Sequence, residues 1–228
     1  MLYIFLRLLW AQPAKVIFVD HAGALFNMMH KGDTSAKIGL QSVVNRPHLY
    51  ALGAIEKLKG EILVWDTQVL LSANDNGTVR ISNDPDVQAT LLVYAYVQNW
   101  KKVAELSAFS DAATREAQIA AFAKEHGLSI DDPFPFLLRG TAERLSWHVI
   151  DWKEGMEHSH HNHITSGPHG TKEKVDVDIL GFHSTKHTAI WTHHSSDVHM
   201  HMKTVEGTLA GHVDALKIQT MSLWLPNP

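Results

Sequence analysis

The sequence contains no cysteine. That excludes disulfides, thiolate metal ligands and a cysteine nucleophile, while leaving the compartment open, because secreted proteins without cysteine are common enough. Excess charge is also missing: 20 Lys and Arg stand against 24 Asp and Glu, a formal net charge of -4. With no basic field, basic reading helix or aromatic RNA-stacking motif, no nucleic-acid partner is expected. There is no internal repeat. An apolar run long enough for a membrane span of about 20 residues is lacking too. The nearest approach is residues 1–14, MLYIFLRLLWAQPA, whose only charge is Arg7 and which end in small residues around Ala11 and Ala14. Without the basic start of an ordinary signal, this segment keeps two readings open: a shortened signal for a secreted or periplasmic protein, or a buried first strand in a cytoplasmic one.

What is present is histidine, 17 of 228 residues, and all but His21, His30 and His48 lie beyond residue 125. A chain that is 45% hydrophobic and 19% charged folds as a soluble globule with one substantial core or two tightly joined halves. The histidine enrichment of the second half therefore needs a local cause. Residues 197–216, DVHMHMKTVEGTLAGHVDAL, supply one. Side chains alternate faces along a strand, so His199 and His201 share one face while Met200 and Met202 take the other. A hairpin turning at Glu206-Gly207 sets His201 directly across from His212, where facing Cβ atoms are about 5 Å apart. Three imidazoles on one face are the donor set of a metal site that keeps an open position.

Read from the start, Val16 to Val19 forms a strand and the apolar spacing through Ala24, Leu25, Met28 and Met29 a helix. Gly60 turns, residues 61–65 form a strand, and Asn76-Gly77 is the strongest short hairpin signal. Residues 91–97 are a further strand. Residues 101–127, rich in Ala, Glu, Lys and Gln with apolar positions at helical spacing, read as one or two amphipathic helices, the main helical insertion. Residues 136–152 read as a strand pair broken at Arg139-Gly140. Residues 154–173 read as a long loop, and 175–182 and 188–192 as further strands. The expected class is α+β, with mixed or antiparallel sheets and a helical insertion. One catalytic domain over 15–228 is expected, in two closely packed halves, about 15–127 and 128–228.

Two blocks together resemble the α-acetolactate decarboxylase family, and the resemblance covers most of residues 15–218. The first runs from Ala51-Leu52-Gly53-Ala54 to Lys59-Gly60-Glu61-Ile62. The second is His199-Met200-His201 followed, after the same gap as in the family, by Gly211-His212-Val213. Ile179-Leu180-Gly181-Phe182 is similar to the strand before the family's metal block. The resemblance implies that His199, His201 and His212 bind a zinc ion, or another divalent metal, and that Glu61 stands beside it. It implies a carboxy-lyase whose substrate is a small branched hydroxy-keto acid chelated by the metal. Loss of carbon dioxide leaves an enediolate, and protonation gives a hydroxyketone such as acetoin. It leaves a homodimer open. Two departures accompany the match: the position beyond Gly140 where the family has a carboxylate-binding arginine is His148, a switchable acid or base, and the family's carboxyl-terminal glutamate is absent.

Two other functions compete with that reading. One is a related metalloenzyme acting on a different hydroxycarbonyl substrate. The other is a histidine-rich metal-binding protein without catalysis, for which His158, His160, His161 and His163 in the loop are the natural donors. His183, His187, His193 and His194 flank the metal block as candidates for orienting its ligands.

Overall fold

The computed structural model of the chain describes residues 16–107 and 111–227, so the signal-like segment 1–14 lies outside the described residues. Seven strands form a first sheet: β1 (Val19–Ala22), β2 (Ile38–Gly39), β3 (Leu49–Ile55), β4 (Glu61–Trp65), β5 (Gln68–Asp75), β6 (Thr78–Ser82) and β7 (Gln88–Tyr96). Their order is β1-β7-β3-β4-β5-β6, with β2 also on β7. Two tight hairpins set its registers. Asn76 and Gly77, at φ 51° and 88°, turn β5 into β6 as the sequence predicts. Asp66 and Thr67, at φ 48° and 70°, turn β4 into β5 in the same way without a glycine to announce it.

The second sheet holds β8 (Trp100–Ser107), β9 (Phe134–His148), β10 (His169–His183), β11 (Val198–Thr204) and β12 (Ala210–Pro226). The order is β11-β10-β9-β12-β8, and β11 also pairs with β12, so β9 to β12 close on themselves. Every pairing between named strands is antiparallel. The helices are α1 (Leu25–Lys31), α2 (Gln41–Val44), α3 (Ala112–Glu125) and α4 (His160–Thr165), and Glu56–Leu58 forms a 3-10 turn. Among the described residues no helix is long and apolar enough to cross a membrane.

Several local expectations are corrected. The helix expected from 101 begins only at Ala112, where Asp111 accepts a hydrogen bond from Thr114 N. Residues 101–107 belong to β8, because pairing with β12 from Thr220 to Pro226 outweighs their helix-favouring composition. Of the strand pair read over 136–152, residues 136–148 are one strand, β9, with no turn at Gly140, and residues 149–152 lie outside any strand. That glycine (φ 143°) gives β12 close approach instead, since a Cβ there would lie 2.4 Å from the Thr220 carbonyl oxygen. The loop read over 154–173 contains α4, capped by Ser159, and the start of β10. Residues 188–192 form a turn rather than a strand, with the amides of Ile190, Trp191 and Thr192 folding back on the His187 carbonyl. The first strand starts at Val19, not Val16.

The chain crosses from one sheet to the other between Tyr96 and Trp100. Hence β8 and α3 go with the second sheet, although composition alone puts the division near residue 127. One apolar cluster lies within the second sheet and under α3, and another covers the α2 side of the first sheet. Between the sheets a third cluster joins Leu52, Leu63 and Val93 to Leu137, Leu180 and Phe182. The functional residues gather at the edge of this shared layer.

Candidate metal centre

The β11–β12 hairpin has the register that the sequence predicts: His201 pairs with His212, Met202 with Gly211 and Lys203 with Ala210. Its loop spans residues 205–209, longer than the two-residue turn expected, without changing that pairing. Strand alternation puts His199 and His201 on one face. The three rings form a near-equilateral group, with centroids 5.1, 5.1 and 5.4 Å apart. One ring nitrogen from each lies within 4.8 Å of the others.

Glu61 arrives from the other sheet. It opens β4 just after Gly60, whose φ of 145° and close approach to the Ser72 carbonyl leave no room for a side chain. Its carboxylate is buried, accepts a hydrogen bond from Ile150 N at 3.2 Å, and stands 3.6 Å from His201 Nε2 and 3.7 Å from His148 Nε2. His148 ends β9 and pairs with His212 on β12. Glu61, His148 and the three proposed ligands His199, His201 and His212 thus converge in one place.

Sequence reasoning missed Asp214. Its Oδ1 lies 2.7 Å from His148 Nδ1 and 3.3 Å from His212 Nδ1. The signal was available, because a residue two places after His212 returns to the same strand face. His148, His212 and Asp214 make a second convergent donor group. Of the loop histidines, His158 has its Nδ1 3.0 Å from His163 Nε2 and stacks on Trp152, while His160, whose ring lies 4.8 Å from that of His193, and His163 line the same cavity as the three-histidine group. His187 stacks on Trp191 with its Nδ1 2.7 Å from Ser184 Oγ, and His183 stacks on Phe134.

Burial holds the His199 and His201 imidazolium forms far below the usual histidine range, so both rings are neutral. Burial alone would lower His212 too, but its hydrogen bond to Asp214 and the charge of that carboxylate raise it. Burial pushes Asp214 upward, and the His148 and His212 hydrogen bonds overcome this and hold it well below the carboxylate range. For Glu61 burial prevails over the attraction of His148 and His212, and its carboxyl is raised. Three imidazoles with ring nitrogens within 4.8 Å of one another, beside a carboxylate, are a donor set that fits a divalent ion of the zinc type. They open onto a cavity of about 370 Å³ whose walls include Leu25, Met28, Leu58 and Trp191.

Fold and site define a two-sheet antiparallel protein with a three-histidine centre at the seam between its sheets. The chain belongs to the alpha-acetolactate decarboxylase family, whose model matches residues 24–226. Three solved structures share the fold. Alpha-acetolactate decarboxylase from Bacillus subtilis strain 168 is 13% identical, with TM-score 0.70, 92% of this chain covered and 86% of that chain. Acetolactate decarboxylase from Bacillus subtilis subspecies spizizenii is 13% identical, with TM-score 0.72 and coverage of 92% and 86%. A Staphylococcus aureus protein of unknown function, described as similar to alpha-acetolactate decarboxylase, is 14% identical, with TM-score 0.71 and coverage of 93% and 86%. No curated protein matches the sequence.

Proposed function

We propose that this protein is a metal-dependent carbon–carbon lyase that removes carbon dioxide from a hydroxy-keto acid, with His199, His201 and His212 as ligands of a zinc-type ion. The observation that carries this reading is the convergence of three imidazoles and the buried Glu61 carboxylate in a cavity shared by both sheets. The two sheets act as one catalytic unit, since β4 on one side and β9, β11 and β12 on the other each supply part of the centre. His199, His201 and His212 would hold such an ion, which would supply Lewis acidity toward a hydroxycarbonyl substrate.

The chain's own groups account for the rest. When the bond to the carboxylate carbon breaks, carbon dioxide leaves and the electron pair stays on the substrate as an enediolate. A proton must then be delivered to carbon. Glu61, raised by burial, and His148, 3.7 Å away, form an acid–base pair placed to hold and pass that proton. Asp214 fixes His148 from its other nitrogen. The apolar walls keep water from competing for the carbanion-like carbon.

Metal analysis of the purified protein together with carbon dioxide release from acetolactate tests this reading. One equivalent of metal per chain and chelator-sensitive release are expected. One equivalent without release removes acetolactate as substrate and favours another hydroxycarbonyl acid, the reading that His148 in place of an arginine supports. Several ions per chain, lost when 158–163 are deleted, would instead indicate metal storage. The mutual engagement of His158 and His163 argues against that outcome.

A further inference from the structure

Helix α3 brings Arg115 to the cavity wall, together with Ala112 and Glu116. The side chain is 4% exposed. Its Nη1 donates to the Leu216 carbonyl oxygen at 3.0 Å, and its Nε–H is buried with no hydrogen-bond partner. Among the described residues no carboxylate forms an ion pair with it. The two nearest candidates are committed elsewhere. Glu116 accepts from Ser196 Oγ at 2.8 Å and from Asp197 N at 2.9 Å. Asp111 caps α3 through Thr114 N at 2.7 Å. Burial opposes the guanidinium charge, and Glu116 and Asp111 attract it only from a distance.

A buried cation without a counter-ion is costly to keep, and one on the wall of a cavity is a receptor for an anion. Arg115 is the only Lys or Arg lining this cavity among the described residues, which matches one carboxylate better than a phosphate dianion. Its position sets the ligand's length. Leu216 follows His212 by four residues on β12, but a bulge between Val213 and Ala215 sets the two opposite Leu145 and His148, three residues apart on β9 and about 10 Å along a strand rising about 3.3 Å per residue. A group held at Arg115 is therefore not the carboxylate adjoining a hydroxycarbonyl head at the histidines.

We propose that Arg115 is a specificity anchor for a second, distal carboxylate, so that the preferred ligand is a hydroxycarbonyl acid carrying carboxylates at both ends. This deepens the lyase reading and rests on it for the placement of the head group. The test is calorimetric titration of zinc-loaded protein with 2-hydroxyadipate and 2-hydroxyhexanoate, acids of equal length that differ only in a distal carboxylate.

Wild type should bind 2-hydroxyadipate about tenfold or more tightly than 2-hydroxyhexanoate, as a charge-assisted contact predicts. Arg115→Gln should bring the two affinities together while leaving that for 2-hydroxyhexanoate unchanged, and Arg115→Lys should keep part of the preference. Equal affinities in wild type, no binding of either acid, or a preference that survives in Arg115→Gln would each overturn the proposal. Titration after chelation separates it from the metal reading. A preference retained with both affinities unchanged by chelation supports the anchor and removes the metal from ligand binding. Equal but chelator-sensitive affinities sink the anchor and leave the metal reading standing.

Discussion

His148 and Asp214 are joined by a 2.7 Å contact between Nδ1 and Oδ1, and the same oxygen lies 3.3 Å from His212 Nδ1. One carboxylate therefore orients a proposed metal ligand and a proposed proton carrier together. Asp214→Asn keeps the shape but loses the charge and half of the acceptor capacity. Metal affinity should fall about 10- to 100-fold with the stoichiometry unchanged, as removal of a ligand-orienting carboxylate does. Competition with a chromophoric chelator measures this, and an unaltered affinity would remove the orienting role.

Glu61→Gln should separate activity from stability. Its amide oxygen can still accept from Ile150 N, now at 3.2 Å from Glu61 Oε1, while the cost of burying a charge disappears. The Glu61 carboxyl is raised above its ordinary 4.5, so at neutral pH its burial works against folding, and that handicap vanishes below the ordinary value. Metal-free Glu61→Gln should be more stable than wild type by about 1 kcal/mol at pH 7 and no more stable at pH 4. The same variant should lose carbon dioxide release at least about 100-fold. A variant both less stable at pH 7 and fully active would exclude Glu61 from the chemistry.

His163 supplies a pH dependence of the opposite origin. Burial lowers it from 6.5 to about 4, helped by the neighbouring histidines. Below pH 6.5 the unfolded chain takes up a proton that the folded protein refuses until about pH 4. Stability from this group is thus complete above 6.5 and is lost as pH falls through that window, by at most about 1.4 kcal/mol per pH unit. His163→Phe, which keeps a ring against Trp152, should show a shallower loss in denaturation measured from pH 7 to pH 5. Parallel curves for the two proteins would show that His163 does not titrate in this way.

Gly53 is held by sheet spacing. A Cβ there would lie 2.0 Å from the Leu91 carbonyl oxygen, on the strand that pairs with β3. Gly53→Ala should force β3 and β7 apart and cost about 1–3 kcal/mol, the range for overpacking a close contact. Thermal unfolding reads the loss. Because Gly53 also lines the cavity, activity should fall with stability.

Legibility in the sequence followed range. The His201–His212 pairing was readable because alternation and hairpin register are local, and even a longer loop preserved it. The Asn76-Gly77 hairpin was readable for the same reason, while Asp66-Thr67 was not, because neither residue signals positive φ as glycine does. Composition misled at 101–107, where a partner strand more than a hundred residues away decided the conformation.

By itself, then, the sequence determined the three-histidine face, the register that closes it and the strand that begins at Glu61, all consequences of side-chain alternation and turn chemistry within short stretches. The tertiary structure decided that Glu61 meets His148 and His201 across the seam, that Asp214 serves two histidines, and that Arg115 stands on the same cavity with no ion-pair partner among the described residues. Those relationships arise from burying one sheet against another and α3 against β12. Burial is a property of the assembled chain, and no single segment carries its pattern.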